Sequence, residues 1–551
     1  MCATKRDDWD MFRAAGVAHL MSISGLHITM FAWLASALIA WLWRRSDAFG
    51  WRGGLLWPVP QVALVGGVLL ATLYAVFSGW GVPSQRTVWM LVTVGLLRLS
   101  GRQWPWPAVW LLACAVVLAI DPWALLQAGF WLSFVAVGVL FATDTGATHA
   151  GSTGAGSRFR SMLREQWIVT LALTPLTLLL FQQVSVVGLL ANLLAIPWVT
   201  LVVTPLAMLG VLLPPLWQLA ALAIDALGWL LQILVQLPFA TVSVAAPAIW
   251  MGVAGVFGAV LLVLPWPWGV RALGLPLLLP VVLWQTPRPA HGQFELLAAD
   301  IGQGNAVLVR TAGHALVYDT GPRFGLDSDA GQRVLVPLLR ALGETLDTVV
   351  VSHRDSDHSG GASSLLAAQP QAGLLSSVEA GHPLQALRPV QRCVAGQGWD
   401  WDGVRFDVLH PQAADYDAVQ KPNALSCVLR ISNGAHTALL VADIEQPQEA
   451  RLVAGAAPLR ADVLLVPHHG SKTSSSPAFL DAVQPRLALV QAGYRNRFGH
   501  PAPPVLARYQ ERGIQVVDSS HCGAATWSSA APLELRCERQ THPHYWQHQP
   551  L

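Results

Sequence analysis

Residues 351–361, with the sequence VSHRDSDHSGG, place two histidines and two aspartates within a run of six residues. The four side chains are those of His353, Asp355, Asp357 and His358. Imidazole nitrogens and carboxylate oxygens are ligands for divalent metals, and adjacent Asp357 and His358 would let two neighbouring cations share the group. The segment therefore predicts a metal site, with a solvated charged loop as the alternative.

An apolar run, TVVV, leads directly into this cluster, so the metal loop is expected at the end of a β-strand. Loops carried by a rigid sheet are where catalytic groups usually lie. Three more polar groups follow apolar runs in the same way. They are Asp443 after TALLVA, His468 and His469 after DVLLVP, and Asn496 with His500 in GYRNRFGHP. We expect one sheet to deliver all the clusters to a single edge.

In order, spacing and strand context, these clusters resemble the metallo-β-lactamase superfamily over residues 294–536. The resemblance implies a soluble α/β domain of the αββα type. It aligns the first cluster with the family motif HxHxDH, so that the implied metal ligands there are His353, Asp355, Asp357 and His358. Asp355 departs from the motif, because a histidine usually stands at that position.

The same resemblance assigns the later metal ligands. Asp443 matches the bridging acid, and one histidine of PHHGS matches the late histidine ligand, with His468 preferred to His469. The histidine that normally lies between these motifs has no clear match. His410 is a candidate for it, with an ordinary surface histidine as the alternative.

The ligand types indicate both the metal and the reaction. A carboxylate is a harder ligand than an imidazole, so Asp355 favours Mn²⁺, with Zn²⁺ or Mg²⁺ as alternatives. Divalent cations activate water near neutral pH and neutralise a phosphoryl oxygen, as phosphodiester hydrolysis requires. Asp357 is the candidate to orient or deprotonate the water. The candidates for holding phosphate or substrate, each with a plain surface role as the alternative, are Lys472, Arg495, Asn496 and His500.

Two turns early in the soluble half also follow strand-like runs. The segments AADIGQGNAVLV and YDTG place Gly304 and Asp319 at such turns. The glycine predicts a close approach of the backbone near the edge that carries the metal ligands. A purely structural turn is the alternative.

The N-terminal half has the composition of a membrane protein. The chain is 53% hydrophobic and 12% charged, with a mean hydropathy of +0.46, beyond what a water-soluble globule needs. No lysine occurs from residue 31 to residue 286, and an ordinary soluble composition begins near residue 288. The net charge of +2 is too small to indicate nucleic acid by itself. We expect a polar segment at 1–17, a polytopic membrane domain at 18–287 and the soluble domain at 288–551.

Apolar runs predict about ten helices in the membrane domain, since about 20 apolar residues cross the hydrocarbon layer. The runs are 24–43, 55–77, 87–100, 106–120, 126–142, 167–182, 186–213, 217–237, 247–264 and 270–286, the seventh being one broken helix or two. Arginines cluster in alternate connections, namely those after the first, third, fifth and ninth runs. Because positive residues concentrate in cytoplasmic loops, this pattern puts the soluble domain on the outer side of the membrane.

Four of the six cysteines lie in the soluble half: Cys393, Cys427, Cys522 and Cys537. They lack the paired short spacing of a structural zinc site. They predict two disulfides if that half faces an oxidising compartment, with reduced buried thiols as the alternative.

The segment AHLMSISGLHIT at residues 18–29 stands just before the first apolar run and is unusually polar for a mere anchor. Together with PSQRTVWM at 83–90, GFWLSFVAVGVL at 129–140 and ANLLAIPWVTLVVTPLAMLG at 191–210, it resembles the ComEC family of bacterial competence proteins. Together with the resemblance of the C-terminal half to a metallo-β-lactamase domain, this resemblance covers almost the whole chain. Members of that family usually carry further N-terminal segments, so we expect either a truncated product or a start assigned too late.

The resemblance implies a multi-pass protein of the bacterial inner membrane that takes up DNA during natural transformation. One strand would pass through the membrane domain, while the outer metal-dependent domain would degrade the other strand of the incoming duplex. Further implied partners are other competence proteins and a second copy of the chain in a homodimer. The rival hypotheses are a pure channel with an inactive C-terminal domain, and a membrane-tethered metallo-hydrolase of a small substrate.

Polar residues of the membrane domain are candidates for lining a wet path, because polar groups are tolerated in a bilayer where they face a cavity. An interfacial helix start is the alternative for the first five of them, and a position at the membrane edge is the alternative for the last two. The candidates are His19, Ser22, Ser24, Gly25, His27, Arg86 and Asp225.

Overall fold

The computed structural model describes residues 6–21, 25–46, 53–143, 155–417 and 420–547. The chain forms two compact units, Met1–Trp284 and Gln285–Leu551. The first is helical, and the second contains two large β-sheets covered by helices. The predicted fold class, a helical membrane domain followed by an αββα-type domain, is confirmed.

The helical unit has a helix within each of the predicted apolar runs, and the seventh run forms one helix that passes through a π-helical stretch at Val199–Val203. The long runs are helical because a segment that lies in hydrocarbon must satisfy its own backbone hydrogen bonds. The helices are α1 Arg6–Ala14, α2 Ala18–Met21, α3 Gly25–Arg45, α4 Gly53–Leu56, α5 Val59–Phe77, α6 Val82–Leu99, α7 Trp106–Ile120, α8 Ala128–Thr143, α9 Ala155–Phe181, α10 Gly188–Trp198, α11 Thr204–Leu209, α12 Pro215–Val235, α13 Ile249–Val263, α14 Trp268–Ala272 and α15 Gly274–Leu283, with a short pair of strands, β1 Gln183–Ser185 and β2 Thr241–Ser243.

Three of the described helices are long and apolar enough to cross a membrane: Val59–Phe77, Gly188–Leu209 and Pro215–Val235. Shorter apolar helices occupy Trp106–Ile120, Ala128–Thr143, Ile249–Val263 and Trp268–Leu283. Their large side chains, such as Leu73 and Phe257, are exposed at the surface of the unit. An apolar outer surface of this kind is typical of helices that face lipid.

Small residues allow the helices of this unit to pack closely. A Cβ atom on Gly67 of α5 would collide with Ser36 of α3, and one on Gly258 of α13 would collide with the backbone of Gly274 in α15. Close approach at small residues is the usual mode of helix association in membranes, where helices gain no hydrophobic energy by leaving lipid.

The C-terminal unit is built on two sheets. The first has the strand order β10-β9-β8-β5-β4-β3-β18-β19 and the second has the order β11-β12-β13-β14-β15-β16-β17. The strands of the first sheet are β3 Glu295–Ala298, β4 Val307–Arg310, β5 Ala315–Tyr318, β8 Thr348–Val351, β9 Gly373–Ser376, β10 Val390–Arg392, β18 Ala525–Ser528 and β19 Leu535–Cys537. Those of the second are β11 Gly398–Trp401, β12 Val404–His410, β13 Val428–Ser432, β14 Thr437–Leu440, β15 Val463–Leu465, β16 Leu487–Val490 and β17 Gln515–Asp518. Two short strands, β6 Arg323–Gly325 and β7 Ser328–Asp329, form a separate hairpin.

Helices cover the outer faces of both sheets. The helices of this unit are α16 Val336–Leu342, α17 Ser356–Ser359, α18 Ala362–Ala368, α19 Leu384–Leu387, α20 Gln446–Ala454, α21 Pro477–Val483, α22 Pro503–Glu511, α23 Ser519–Cys522 and α24 Glu538–Thr541. One apolar cluster lies between the sheets and includes Leu296, Phe406 and Leu465, while Leu339 and Phe479 belong to separate outer clusters beneath the helices. Strands buried on both faces are apolar throughout, which explains the continuous runs in the sequence.

The four cysteines of this unit form two disulfides, Cys393–Cys427 and Cys522–Cys537. Both bonds were expected only if the unit faces an oxidising compartment. Among the cysteines that the structure describes, Cys114 in α7 is free.

Candidate metal centre

The predicted metal residues follow strands that end on one rim of the two-sheet unit. The loop after β8 carries His353, Asp355, Asp357 and His358, and the connections after β14 and β15 carry Asp443 and the two adjacent histidines. Strands β14, β15 and β16 are parallel, so their carboxyl ends meet at the same edge. The expectation that a single sheet delivers every cluster was wrong, because β8 belongs to the first sheet and the other three strands belong to the second.

Four side chains converge at this rim: Asp357, His358, Asp443 and His469. One ligand atom from each lies within 4.8 Å of the others. Asp443 Oδ1 lies 3.1 Å from His358 Nε2 and 3.6 Å from His469 Nε2, and Asp357 Oδ2 lies 3.4 Å from His469 Nε2. Two carboxylates therefore alternate with two imidazoles around a common point.

The buried polar atoms of this cluster are the test of whether it fits a metal ion. Nε2 of His353, His358 and His469 and Oδ1 of Asp443 find no well-aligned hydrogen-bond partner within the described part of the chain. Buried polar atoms in folded proteins are nearly always paired, and leaving several unpaired together is unfavourable. A divalent cation would satisfy all of them, so the donor set fits a divalent metal.

Electrostatics keep the carboxylates of the cluster ionised. Burial raises the pKa of Asp357, but the nearby imidazoles of His469 and His358 outweigh burial and lower the pKa to about 2. Burial also raises the pKa of Asp443, but the neighbouring imidazoles outweigh burial and hold this pKa well below the ordinary range. Both groups are therefore anionic ligands at neutral pH.

Each histidine of the rim is oriented by a partner on its Nδ1 atom. Nδ1 of His358 lies 2.8 Å from Oδ2 of Asp319, and Nδ1 of His469 lies 2.8 Å from the backbone oxygen of Gln491. Ser352 Oγ lies 3.0 Å from Nδ1 of His353. A partner of this kind fixes the tautomer in which Nε2 carries the lone pair, as metal-binding histidines require.

Asp319 and the turn at Gly304 support the loop after β8. Asp319 accepts hydrogen bonds from the backbone nitrogen and the hydroxyl of Ser352, at 2.7 and 2.9 Å. Gly304 has φ +134°, and a Cβ atom there would collide with the backbone oxygen of Asp357. Asn305 donates its backbone N–H to that same oxygen at 3.1 Å. The glycine turn thus makes the close approach that the sequence predicted.

The two adjacent histidines occupy different environments. The Nε2 atom of His468 lies 3.6 Å from Asp443 Oδ2, but its Nδ1 faces Thr473 and Glu445, and the side chain is 20% exposed. His469 is 2% exposed and belongs to the group of four. Both residues have positive φ, at 50° and 53°. The alternation of an extended strand therefore does not hold across the pair.

His353 and Asp355 lie beside the group of four. The ring of His353 lies 4.2 Å from that of His358, and its Nε2 atom lies 3.6 Å from Oδ2 of the half-exposed Asp355.

His410 lies elsewhere: its Nδ1 faces the backbone oxygen of Ser426 at 2.8 Å and its Nε2 lies 3.2 Å from the guanidinium of Arg451. Both ring nitrogens of His410 therefore have partners outside the group of four. His410 does not lie where the family's histidine between the first and later motifs would be needed.

The candidates for phosphate binding differ in how their side chains are used. Lys472 and Arg495 are exposed. Asn496 donates to the backbone oxygens of Gly493 and His500, at 2.9 and 2.5 Å, and its Oδ1 accepts two backbone N–H groups. Its amide is thus fully used within its own loop. The ring of His500 lies 5.8 Å from that of His468.

The described polar candidates of the helical unit are distributed over helices α2, α3, α6 and α12. Ser22 and Ser24 lie outside the described residues. Gly25 opens α3 at a close contact with Thr87, and His27, two residues later, is buried. His19 in α2 and Asp225 on α12 are exposed on the unit's surface.

Arg86 of α6 is partly buried. Its guanidinium lies against Gly129, where a Cβ atom would meet it at 2.9 Å. Its Nη1 atom is buried with no hydrogen-bond partner among the described residues.

Comparison with known proteins defines the class of each unit. A family model described as "Metallo-beta-lactamase superfamily" matches residues 299–494. A second, described as "Competence protein", matches residues 3–269. The chain thus joins a competence-type helical unit to a metallo-β-lactamase domain.

Individual relatives match almost the entire chain. It is 35% identical over 553 residues to Competence protein ComA of Neisseria gonorrhoeae, covering 98% of this chain and 75% of that protein. It is 34% identical over 561 residues to Uncharacterized protein YcaI of Escherichia coli (strain K12), covering 98% and 71%. It is 29% identical over 554 residues to Recombination protein 2 of Haemophilus influenzae, covering 91% and 66%. The chain belongs to the ComEC family of competence proteins.

Proposed function

We propose that this protein takes up DNA during natural transformation, moving one strand through its helical unit and hydrolysing the other at the metal centre. The observation that carries the hydrolytic part is the group formed by Asp357, His358, Asp443 and His469, with its buried unpartnered atoms. The uptake part is supported by membership of the competence family and by relatives named for competence and recombination.

The residues of the rim divide the work of phosphodiester hydrolysis. Asp357, His358, Asp443 and His469 would hold a divalent cation, with His353 and Asp355 beside them, and Mn²⁺ is favoured by the carboxylate content. When bound, the cation would supply Lewis acidity to activate water at neutral pH and to neutralise charge on the phosphoryl group. Asp357, ionised because its pKa is about 2, accepts a hydrogen bond from the attacking water and orients it. Lys472 and Arg495 bind phosphate oxygens.

We place the protein in the bacterial inner membrane as a multi-pass protein, with the C-terminal unit on the outer side. The alternating arginines of the helical unit support this topology. The two disulfides of the C-terminal unit support it independently, since disulfides persist in oxidising compartments. Duplex DNA would then meet the metal centre before a single strand enters the helical unit. Other competence proteins and a second copy of the chain are the proposed protein partners.

Cleavage by the full chain tests the hydrolytic part. The protein is reconstituted in lipid nanodiscs and incubated with end-labelled duplex DNA and Mn²⁺. We expect cleavage that falls at least about 100-fold in Asp357→Ala. Asp481→Ala is the matched control, because that carboxylate is exposed and pairs with Arg512 away from the rim. Protein that holds the metal and cleaves no DNA would refute hydrolysis, and an empty site after careful purification would favour a pure channel.

Uptake is tested in cells. A transformable bacterium that lacks its own ComEC-family protein is supplied with this chain, and transformants are counted. We expect transformation to be restored by the natural chain. Transformation that stays absent despite normal membrane expression would contradict the uptake role, and cleavage without uptake would favour the tethered hydrolase.

A further inference from the structure

The loop from Gly493 to His500 has a contact beside the metal rim at each end. At its start, the backbone nitrogen of Gly493 donates to Oε1 of Gln303 at 3.2 Å, in the turn that also contacts Asp357. At its end, the ring of His500 lies 6.4 Å from that of His469, with the two planes 24° apart. The segment between these contacts therefore lies beside the metal ligands.

This rim loop, residues 493–500, carries two arginines between two aromatic side chains. Tyr494 and Phe498 are 44% and 52% exposed, and the guanidinium groups of Arg495 and Arg497 lie over their rings, 5.2 and 4.8 Å from the ring centroids. The loop contains no acidic residue. Phe498 is also roughly parallel to His500, at 5.7 Å and 22°. The rings of His469, His500 and Phe498 therefore form a row in which neighbouring planes are tilted by 24° and 22°.

Exposed rings interleaved with arginines match the chemistry of a single nucleic acid strand. Bases that have left the double helix can stack on aromatic rings, while arginines neutralise the phosphates that link those bases. Bases inside an intact duplex are already stacked and paired, so they cannot use such rings. Because His358 and Asp443 are almost wholly buried, a flexible strand reaches the metal ligands more easily than a rigid duplex does.

We propose that the rim loop binds unpaired nucleotides next to the bond that is cut, with Tyr494 and Phe498 stacking on bases and Arg495 and Arg497 holding phosphates. The proposal rests on the proposed hydrolytic function and adds its substrate form: a single strand or a frayed end, in preference to continuous duplex. Asn496 serves this site indirectly, by holding the loop in shape through its four hydrogen bonds.

Binding without metal separates this proposal from hydrolysis. The full chain in nanodiscs, with EDTA present, is titrated into a fluorescein-labelled single-stranded oligothymidylate and, separately, into a closed duplex hairpin. We expect Tyr494→Ala and Phe498→Ala each to weaken binding of the single strand about tenfold, the effect of losing one stacked base. Binding of the hairpin should change less than about twofold. Phe498→Tyr should bind like the natural chain, because it keeps the ring.

Tyr545→Ala is the matched control, since Tyr545 is 85% exposed in the segment after α24. Unchanged binding in both alanine variants, or equal losses for single strand and hairpin, would overturn the proposal, as would an equal loss in the Tyr545 control. Metal content of each variant shows whether the rim is intact. If the loop variants lose binding and the natural chain shows no Mn²⁺-dependent cleavage, hydrolysis fails and the binding site stands.

Discussion

His358 and Asp319 form a wholly buried pair in which Nδ1 of the imidazole lies 2.8 Å from Oδ2 of the carboxylate. The carboxylate accepts the Nδ1–H and leaves the lone pair on Nε2, which points toward Asp443. In Asp319→Asn, the amide N–H₂ can donate to Nδ1 and favour the wrong tautomer. We expect metal binding about 10- to 100-fold weaker, measured by titration calorimetry with Mn²⁺.

Asp329→Asn is the control for that experiment. Asp329 is also a buried carboxylate, and it accepts hydrogen bonds from Gln332 and Ser364, outside the group of four. It should lose stability without losing metal affinity. Equal weakening of metal binding in both variants would show that Asp319 acts only through folding.

Adjacent histidines allow a second prediction. His469 is buried with its Nε2 directed at Asp357 and Asp443, whereas His468 is partly exposed and contacts Thr473. We expect His469→Ala to lose most of the bound metal. His468→Ala should keep most of it and act mainly on substrate binding. Metal per chain, measured by mass spectrometry after gel filtration, gives the comparison.

His410→Ala serves as a further control, because its ring is held by Ser426 and Arg451 outside the group of four. Retention of metal in His469→Ala, together with its loss in His468→Ala, would restore the assignment that the sequence favoured.

The sequence predicted the fold class and three of the four side chains that converge at the rim, because both depend on local patterns. Apolar runs predict helices in the membrane unit, and polar clusters after strand-like runs predict loops at a sheet edge. His358, Asp357 and Asp443 could be predicted in this way. They occupy turns at strand ends, where side chains need not pack in the core.

Other features depended on long-range packing. Nothing local indicates that β8 and β14 belong to different sheets, since strand pairing is set by contacts distant in the chain. The choice between His468 and His469 depends on two consecutive residues with positive φ, which a strand pattern does not predict. Asp319 appeared only as a turn residue, because its partner His358 lies far along the sequence.

Asp355 supports a prediction about metal preference. Its carboxylate stands 3.6 Å from His353 Nε2, where the superfamily motif usually has a histidine. Replacing this oxygen donor with nitrogen in Asp355→His should favour Zn²⁺ over Mn²⁺ by roughly tenfold, in line with ligand hardness. Competition titrations of the two metals measure the ratio. Asp355→Glu, which keeps the carboxylate, should retain the preference of the natural chain, and an unchanged ratio in both variants would show that this residue lies outside the coordination sphere.

The disulfide Cys393–Cys427 supports a prediction about the compartment. Both sulfurs are buried, and Cys427 donates its backbone N–H to the oxygen of Ser352, directly before the metal loop. If the C-terminal unit lies outside the inner membrane, its four cysteines should be oxidised in growing cells. Cells quenched with acid and treated with a maleimide polymer under denaturing conditions should show no size shift from these cysteines. Prior reduction should produce that shift.

The choice of variants makes the thiol result specific to the compartment. In a Cys2→Ser, Cys114→Ser background, any shift before reduction comes from the four cysteines of the C-terminal unit. A strain in which the same chain is trapped in the cytosol gives the reduced reference, because cytosolic reductants keep thiols free. Equal shifts in the two strains would place the metal unit inside the cell. Duplex DNA arriving from outside could then not be its substrate, while the metal-binding predictions for Asp319 and His469 would be unaffected.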